Sequence, residues 1–175
     1  MQAARAMGAI LARNGIRLVY GGGKTGLMGA LADGALECGG EVVGIIIPGM
    51  NIDALAHRGI SRMVVASTIH ERKARMHQLA EGYVALPGGL GTLDELFETL
   101  TWAQIGEHYR PVGLLNVNGY FDQLLLMLDR AEKEHFVFSE HRQALLTGEN
   151  PEALLEAMAV YQPPLDAVRR WMRQA

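Results

Sequence analysis

The sequence predicts an α/β domain in which a parallel sheet carries helices on both faces. Three observations support this. Short apolar strands alternate with helical patterns along the 175 residues, the order that parallel crossovers require. The run "EVVGIII" (41–47) shows no polar alternation, as in a strand buried on both faces. Glycine, with 21 residues, gathers directly after predicted strands, where a backbone must come close to a ligand or to another segment.

The elements follow in order. Residues 2–14 carry Ala, Met, Ile and Leu at helical spacing, and Gly15 ends them. "IRLVY" is a short strand leading into "GGGKTG". A small-residue helix, "LMGALADGALECG", stops at Gly39–Gly40. After "EVVGIII" come Pro48, a polar loop over 49–59 and the short strand "SRMVVAS". The helix "HERKARMHQLAEG", the strand "YVALP", the helix "TLDELFETLTWAQIG", the strand "PVGLLNV" and the amphipathic helix "GYFDQLLLMLDRAEKE" complete the alternation. One or two short helices are predicted around "SEHRQALLTG" and "NPEALLEAMAVY". The reading is one domain over 1–162 and a tail over 163–175, with Pro163–Pro164 at the boundary. A doubly wound domain more often opens on a strand, so either a first strand is missing ahead of residue 2, which is the expectation, or the fold is permuted.

Composition excludes several classes. With 49 % hydrophobic residues the chain can bury a core without staples. The single Cys38 rules out an intramolecular disulfide framework and fits a reducing compartment. A net charge of -3 without long basic runs argues against nucleic acid as a partner. No apolar run approaches the ~18 residues of a bilayer span. The N-terminal stretch is interrupted by Arg5 and Arg13, unlike a signal peptide. A soluble cytoplasmic protein is expected.

Two glycine-rich loops fall at strand ends, where open α/β sheets bind ligands. "PGGLGT" (87–92) suits an anion site: Gly88, Gly89 and Gly91 let backbone N–H groups converge, and a helix N-terminus carries partial positive charge. Thr92 can add its hydroxyl. The same letters also read as a capping box, Thr92 with Glu95. Leu93, Leu96, Phe97 and Leu100 form one apolar face, and Glu95 lies off it. In "HERKARM", Arg72 and Lys73 share the apolar side near a helix N-terminus, the unfavourable end for cations. A nearby anion would resolve that conflict; snorkelling to solvent is the alternative. His70 and His77 lack the spacing of a metal site, and no metal is expected.

"YGGGKTG" fails as a nucleotide P-loop, because Leu18 stands where the first glycine is required. Gly21, Gly23 and Gly26 match a dinucleotide spacing formally, but no acid ends the next strand. A second anion loop and close helix packing both explain them. Pyridoxal phosphate would need a lysine for its Schiff base. The lysines are Lys24, Lys73 and Lys133, none in a recognisable cofactor setting, so no cofactor is expected.

In their order and spacing, "YGGGKTGLMG", "HERKARM", "LPGGLGTLDELFE" and "TWAQIGEH" resemble the Lonely Guy (LOG) family, cytokinin riboside 5'-monophosphate phosphoribohydrolases often mislabelled lysine decarboxylases. The resemblance covers roughly residues 1–135. It implies a Rossmann-like fold, a homodimer with the active site near its interface, and a nucleoside 5'-monophosphate substrate. It implies that Arg72 and Glu95 are catalytic. It implies that Lys73, Gly88, Gly89, Gly91, Thr92 and Asp94 bind substrate and phosphate, with Gly22 and Gly23 of the first loop. Asp94 replaces the family's usual glutamate, and Ile69 its usual methionine. The 50s loop offers His57 and Arg58 where plant members carry a substrate-binding glutamate. A non-catalytic nucleotide or cofactor carrier on the same scaffold is the alternative reading.

Overall fold

The computed structural model describes residues 1–174 and separates into two compact units, Met1–Ala80 and Glu81 onward. In the first, α1 (Gln2–Arg13), β1 (Leu18–Tyr20), α2 (Gly26–Glu37), β2 (Val42–Ile46), β3 (Arg62–Val65) and α3 (Ile69–Leu79) follow in order. The strands pair in parallel as β1-β2-β3. Central β2 is buried at all five residues, which is what its unbroken apolar run predicts. Val43, Ile45 and Ala66 form a core with Val19, Val64, Met76 and Leu79 packed against it.

α1 and α2 touch backbone to backbone. A Cβ on Gly8 would lie 2.0 Å from the Leu31 carbonyl oxygen, and one on Gly34 would lie 2.1 Å from the Arg5 carbonyl oxygen. Alanine normally gains about 1 kcal/mol over glycine inside a helix. At Gly34 the backbone clash reverses the sign. Gly34→Ala is expected to lose about 2 kcal/mol net, since overpacking costs about 1–3 kcal/mol or more. The check is a lower urea midpoint at unchanged slope. An unchanged midpoint would mean that α1 does not lie this close.

The second unit runs β4 (Tyr83–Ala85), α4 (Leu90–Ile105), β5 (Val112–Leu115), α5 (Asp122–Lys133), α6 (Ser139–Ala144), β6 (Leu145–Gly148), α7 (Pro151–Ala159) and α8 (Leu165–Gln174). Its sheet is parallel in the order β4-β5-β6. Leu96, Val112, Leu114, Phe121 and Leu145 form its core. Among the described residues, no helix is long and apolar enough to cross a membrane.

The structure departs from the sequence reading in three places. "LLTG" is not part of a helix: α6 ends at Ala144, and Leu145–Gly148 pairs with β5 in the register Leu114↔Thr147. Leucine is a strong helix former, but pairing beside β5 overrides that preference for Leu145 and Leu146. α4 starts at Leu90, two residues before Thr92. Beyond Pro163–Pro164 the chain forms α8, which packs on α4 with Ala167 and Val168 buried.

Candidate functional site

In the second unit, β4 ends at Ala85 and the chain turns through Leu86–Gly88 into α4. Gly89 stands at the N-cap position, and no side chain caps the helix there. The first intrahelical bond runs from the Leu93 N–H to the Gly89 carbonyl at 3.1 Å. The amides ahead of it have no intrahelical acceptor and form the positive end of the helix. A Cβ on Gly89 or Gly91 would meet nothing within 4 Å, so both face open space. Gly88 is closely covered: its Cβ would fall 2.2 Å from the Thr92 hydroxyl oxygen. The Tyr120 hydroxyl donates to the Gly88 carbonyl at 2.6 Å and ties the loop to the chain that follows β5.

The capping-box alternative does not hold. With α4 starting at Leu90, Thr92 is its third residue, and no acid stands in the first turn. The helix end is therefore not offset by its own first-turn carboxylates. Asp94 and Glu95 fall one turn further on, Asp94 exposed and Glu95 half-buried. The helix behind Glu95 is braced. The Thr99 hydroxyl donates to the Glu95 carbonyl at 2.7 Å. The Thr99 carbonyl in turn lies 3.0 Å from His108 Nε2, and His108 Nδ1 accepts the Arg110 N–H at 3.2 Å. These contacts fix the His108 proton on Nε2. Burial pushes its pKa down, against the Thr99 hydrogen bond and with help from Arg110.

In the first unit, Thr68 caps α3 and Glu71 reaches back to the residue before the cap. Thr68 Oγ1 accepts the Glu71 N–H at 3.1 Å, and the Glu71 carboxylate accepts the Ser67 N–H at 2.6 Å. The Ser67 N–H, followed by Arg75, holds the Glu71 carboxyl below its ordinary pKa. Arg72 comes next. Its Nε donates to the Ile45 carbonyl of β2 at 2.8 Å. A Cβ on Gly21 would meet its guanidinium at 2.3 Å. Arg72 is therefore laid across the C-terminal ends of β1 and β2, and a side chain at residue 21 would displace its guanidinium. Lys73 beside it is half-buried.

The first glycine loop is engaged by its own unit. Gly22 has φ +77°, and its carbonyl accepts the His57 N–H at 2.9 Å. Gly23 bridges Ala56, and Met28 lies over its α-carbon. The Lys24 ammonium donates to the Asp53 carbonyl. His57 Nε2 pairs with Asp33 at 3.0 Å, and Arg58 Nε donates to Asp53 at 3.0 Å. The contacts of Gly22, Gly23 and Lys24 fasten the 50s loop onto the glycine loop, and the His57–Asp33 pair ties it to α2. His70 is exposed and His77 buried.

Sequence reasoning passed over Thr68 with Glu71 and over Tyr120. The first pair was legible as Thr-x-x-Glu ahead of the helix. Tyr120 carried no signal beyond its place after a strand, next to Asn118-Gly119.

Comparison with known proteins gives the following. A family model described as "possible lysine decarboxylase" matches residues 28–158. A cytokinin riboside 5'-monophosphate phosphoribohydrolase of Arabidopsis thaliana is 42% identical over 156 residues, which is 89% of this chain and 73% of that protein. A protein of the same name from Rhodococcoides fascians is 42% identical over 158 residues, 90% of this chain and 80% of that one. The solved molybdenum cofactor binding protein of Rippkaea orientalis superposes with a TM-score of 0.67, covering 90% of this chain and 85% of that one. Its sequence identity is 23%, and the likeness shows the fold alone.

Proposed function

We propose a function from one premise: the chain belongs to the Lonely Guy family, whose relatives carry the name cytokinin riboside 5'-monophosphate phosphoribohydrolase. The chain hydrolyses the N-glycosidic bond of cytokinin-type or purine nucleoside 5'-monophosphates to free base and ribose 5-phosphate. One observation carries this reading: 42% identity to a named phosphoribohydrolase across 89% of the chain, a span that includes both the glycine loop and Arg72. The fold likeness to a cofactor-binding protein does not favour the carrier alternative, because that likeness extends to the fold only.

The chemistry assigns each residue a part. The C1'–N bond breaks with its electron pair leaving on the base, and positive charge builds on the ribose. The Glu95 carboxylate stabilises that charge and orients and deprotonates the attacking water. The amides at the start of α4, with Gly88, Gly89, Gly91 and the Thr92 hydroxyl, hold the 5'-phosphate. Arg72 anchors the ribose phosphate through its planar fork, and Lys73 adds charge. Asp94 flanks the same turn as Glu95.

Lysine decarboxylation, the reaction in the family model's description, fits these residues poorly. A pyridoxal phosphate Schiff base needs an available lysine. Lys24 is bonded to the Asp53 carbonyl, Lys73 adjoins Arg72, and Lys133 is exposed on the last turn of α5. The test of the proposed reaction is release of free base from nucleoside 5'-monophosphates, with the matching nucleosides as controls.

A further inference from the structure

The bond from the Tyr120 hydroxyl to the Gly88 carbonyl, 2.6 Å long, crosses 32 positions of sequence. That carbonyl belongs to the peptide joining Gly88 to Gly89, which is trans. In a trans peptide the C=O and N–H lie in one plane and point in opposite directions. A donor on the Gly88 oxygen therefore also sets where the Gly89 N–H points. Gly89 is the N-cap of α4, and its N–H leads the amides that form the positive end of the helix.

The backbone by itself leaves this peptide plane free. Gly89 stands at φ -90°, and a half-turn of the plane would carry it to positive φ. Glycine adopts such values about as readily as negative ones. A Cβ on Gly89 would meet nothing within 4 Å, so no packing opposes the turn on that side.

Tyr120 is itself held. Asn116, directly after β5, is buried, and its N–H donates to the Gly148 carbonyl at 2.8 Å. Its side-chain oxygen accepts the Phe121 N–H at 2.7 Å, and its side-chain amide donates to Asp122 Oδ1 at 2.8 Å. Between these bonds the chain turns through Asn118 and Gly119, both at positive φ. Phe121 is buried in the core, and the Tyr120 ring meets it edge-on with centroids 5.0 Å apart. The hydroxyl thus projects from a turn clamped at both ends.

We infer that Tyr120 is a positioning residue for the glycine loop: its hydroxyl holds the Gly88–Gly89 peptide so that the Gly89 N–H points at the 5'-phosphate. The inference rests on the phosphate role proposed above for this loop. It assigns Tyr120 to binding, not to the bond-breaking step, since the hydroxyl proton is engaged by a main-chain carbonyl.

Tyr120→Phe keeps the ring against Phe121 and removes the hydroxyl. On the full chain, inorganic phosphate is titrated against the glycine amide resonances by NMR, base release from AMP is measured at steady state, and thermal unfolding is followed. In the wild type, phosphate is expected to move the Gly89 amide saturably. Tyr120→Phe should weaken phosphate about tenfold and raise KM for AMP by a similar factor, the worth of one hydrogen bond, with kcat nearly unchanged. A purely structural role would lower the melting midpoint and leave both affinities as they were. The inference is overturned by that result, by a loss confined to kcat, or by a Gly89 amide that phosphate leaves unmoved in the wild type. The last readout needs no variant. If AMP releases no base while phosphate moves the Gly89 amide and Tyr120→Phe weakens it, the positioning role stands and the proposed reaction falls. Base release with an unmoved Gly89 amide keeps the reaction and removes Tyr120.

Discussion

Glu95→Gln is expected to lower the rate of base release by about 10³-fold, within the range that positioned acid–base groups contribute, with nucleotide affinity largely preserved. The substitution removes the charge at nearly constant volume. Glutamine fills the same volume on a half-buried turn of α4, and the Thr99 hydroxyl still finds the residue 95 carbonyl, which is main chain. An amide can neither take a proton from water nor stabilise a cationic ribose. The proposed phosphate cradle is untouched, because the glycines and Thr92 precede Glu95 in the chain. Base release followed by chromatography and affinity followed by calorimetry separate the two effects. Turnover at the wild-type rate would remove Glu95 from the mechanism. Loss of affinity alongside turnover would move it from chemistry to binding.

Arg72→Ala is expected to reduce kcat/KM by about 10²–10³-fold, the scale of losing one fixed charge donor at a reacting anion. Arg72 Nε is spent on the Ile45 carbonyl. That bond positions the guanidinium, and Gly21 leaves the room it occupies. Arg72→Lys keeps the charge but loses both the planar fork and the tie to β2, so it should recover only a part. The lost bond to Ile45 also costs stability, about 1–3 kcal/mol, and thermal unfolding of each variant separates that cost from catalysis. Arg72→Ala with wild-type kcat/KM would contradict the assigned role.

Much of this was readable from the sequence because the responsible signals are local. The unbroken apolar run of β2, the glycines after β1 and β4, and the apolar face of α4 each depend on a few neighbouring residues. So did the conflict posed by two cations near the start of α3, and the structure resolves Arg72 by laying it across strand ends. What escaped depends on contacts distant in sequence. β6 opens on two leucines that continue the helical pattern of α6, and its strand pairing with β5 depends on residues about thirty positions away. The start of α4 was misread by two residues because Gly91 has poor helix propensity, whereas the close packing of Thr92 on Gly88 and the Tyr120 bond hold the loop there. Gly22 and Gly23 read as well for an anion loop as for close packing, and nothing local could show that the 50s loop pairs with their backbone.

The most direct test of the central claim is base release measured across a panel of nucleoside 5'-monophosphates, including AMP and N6-isopentenyl AMP, beside the corresponding nucleosides. The account predicts free base and ribose 5-phosphate in equal amounts from the monophosphates and none from the nucleosides, since the start of α4 must hold a phosphate. Tight nucleotide binding without base release would contradict it and leave a carrier.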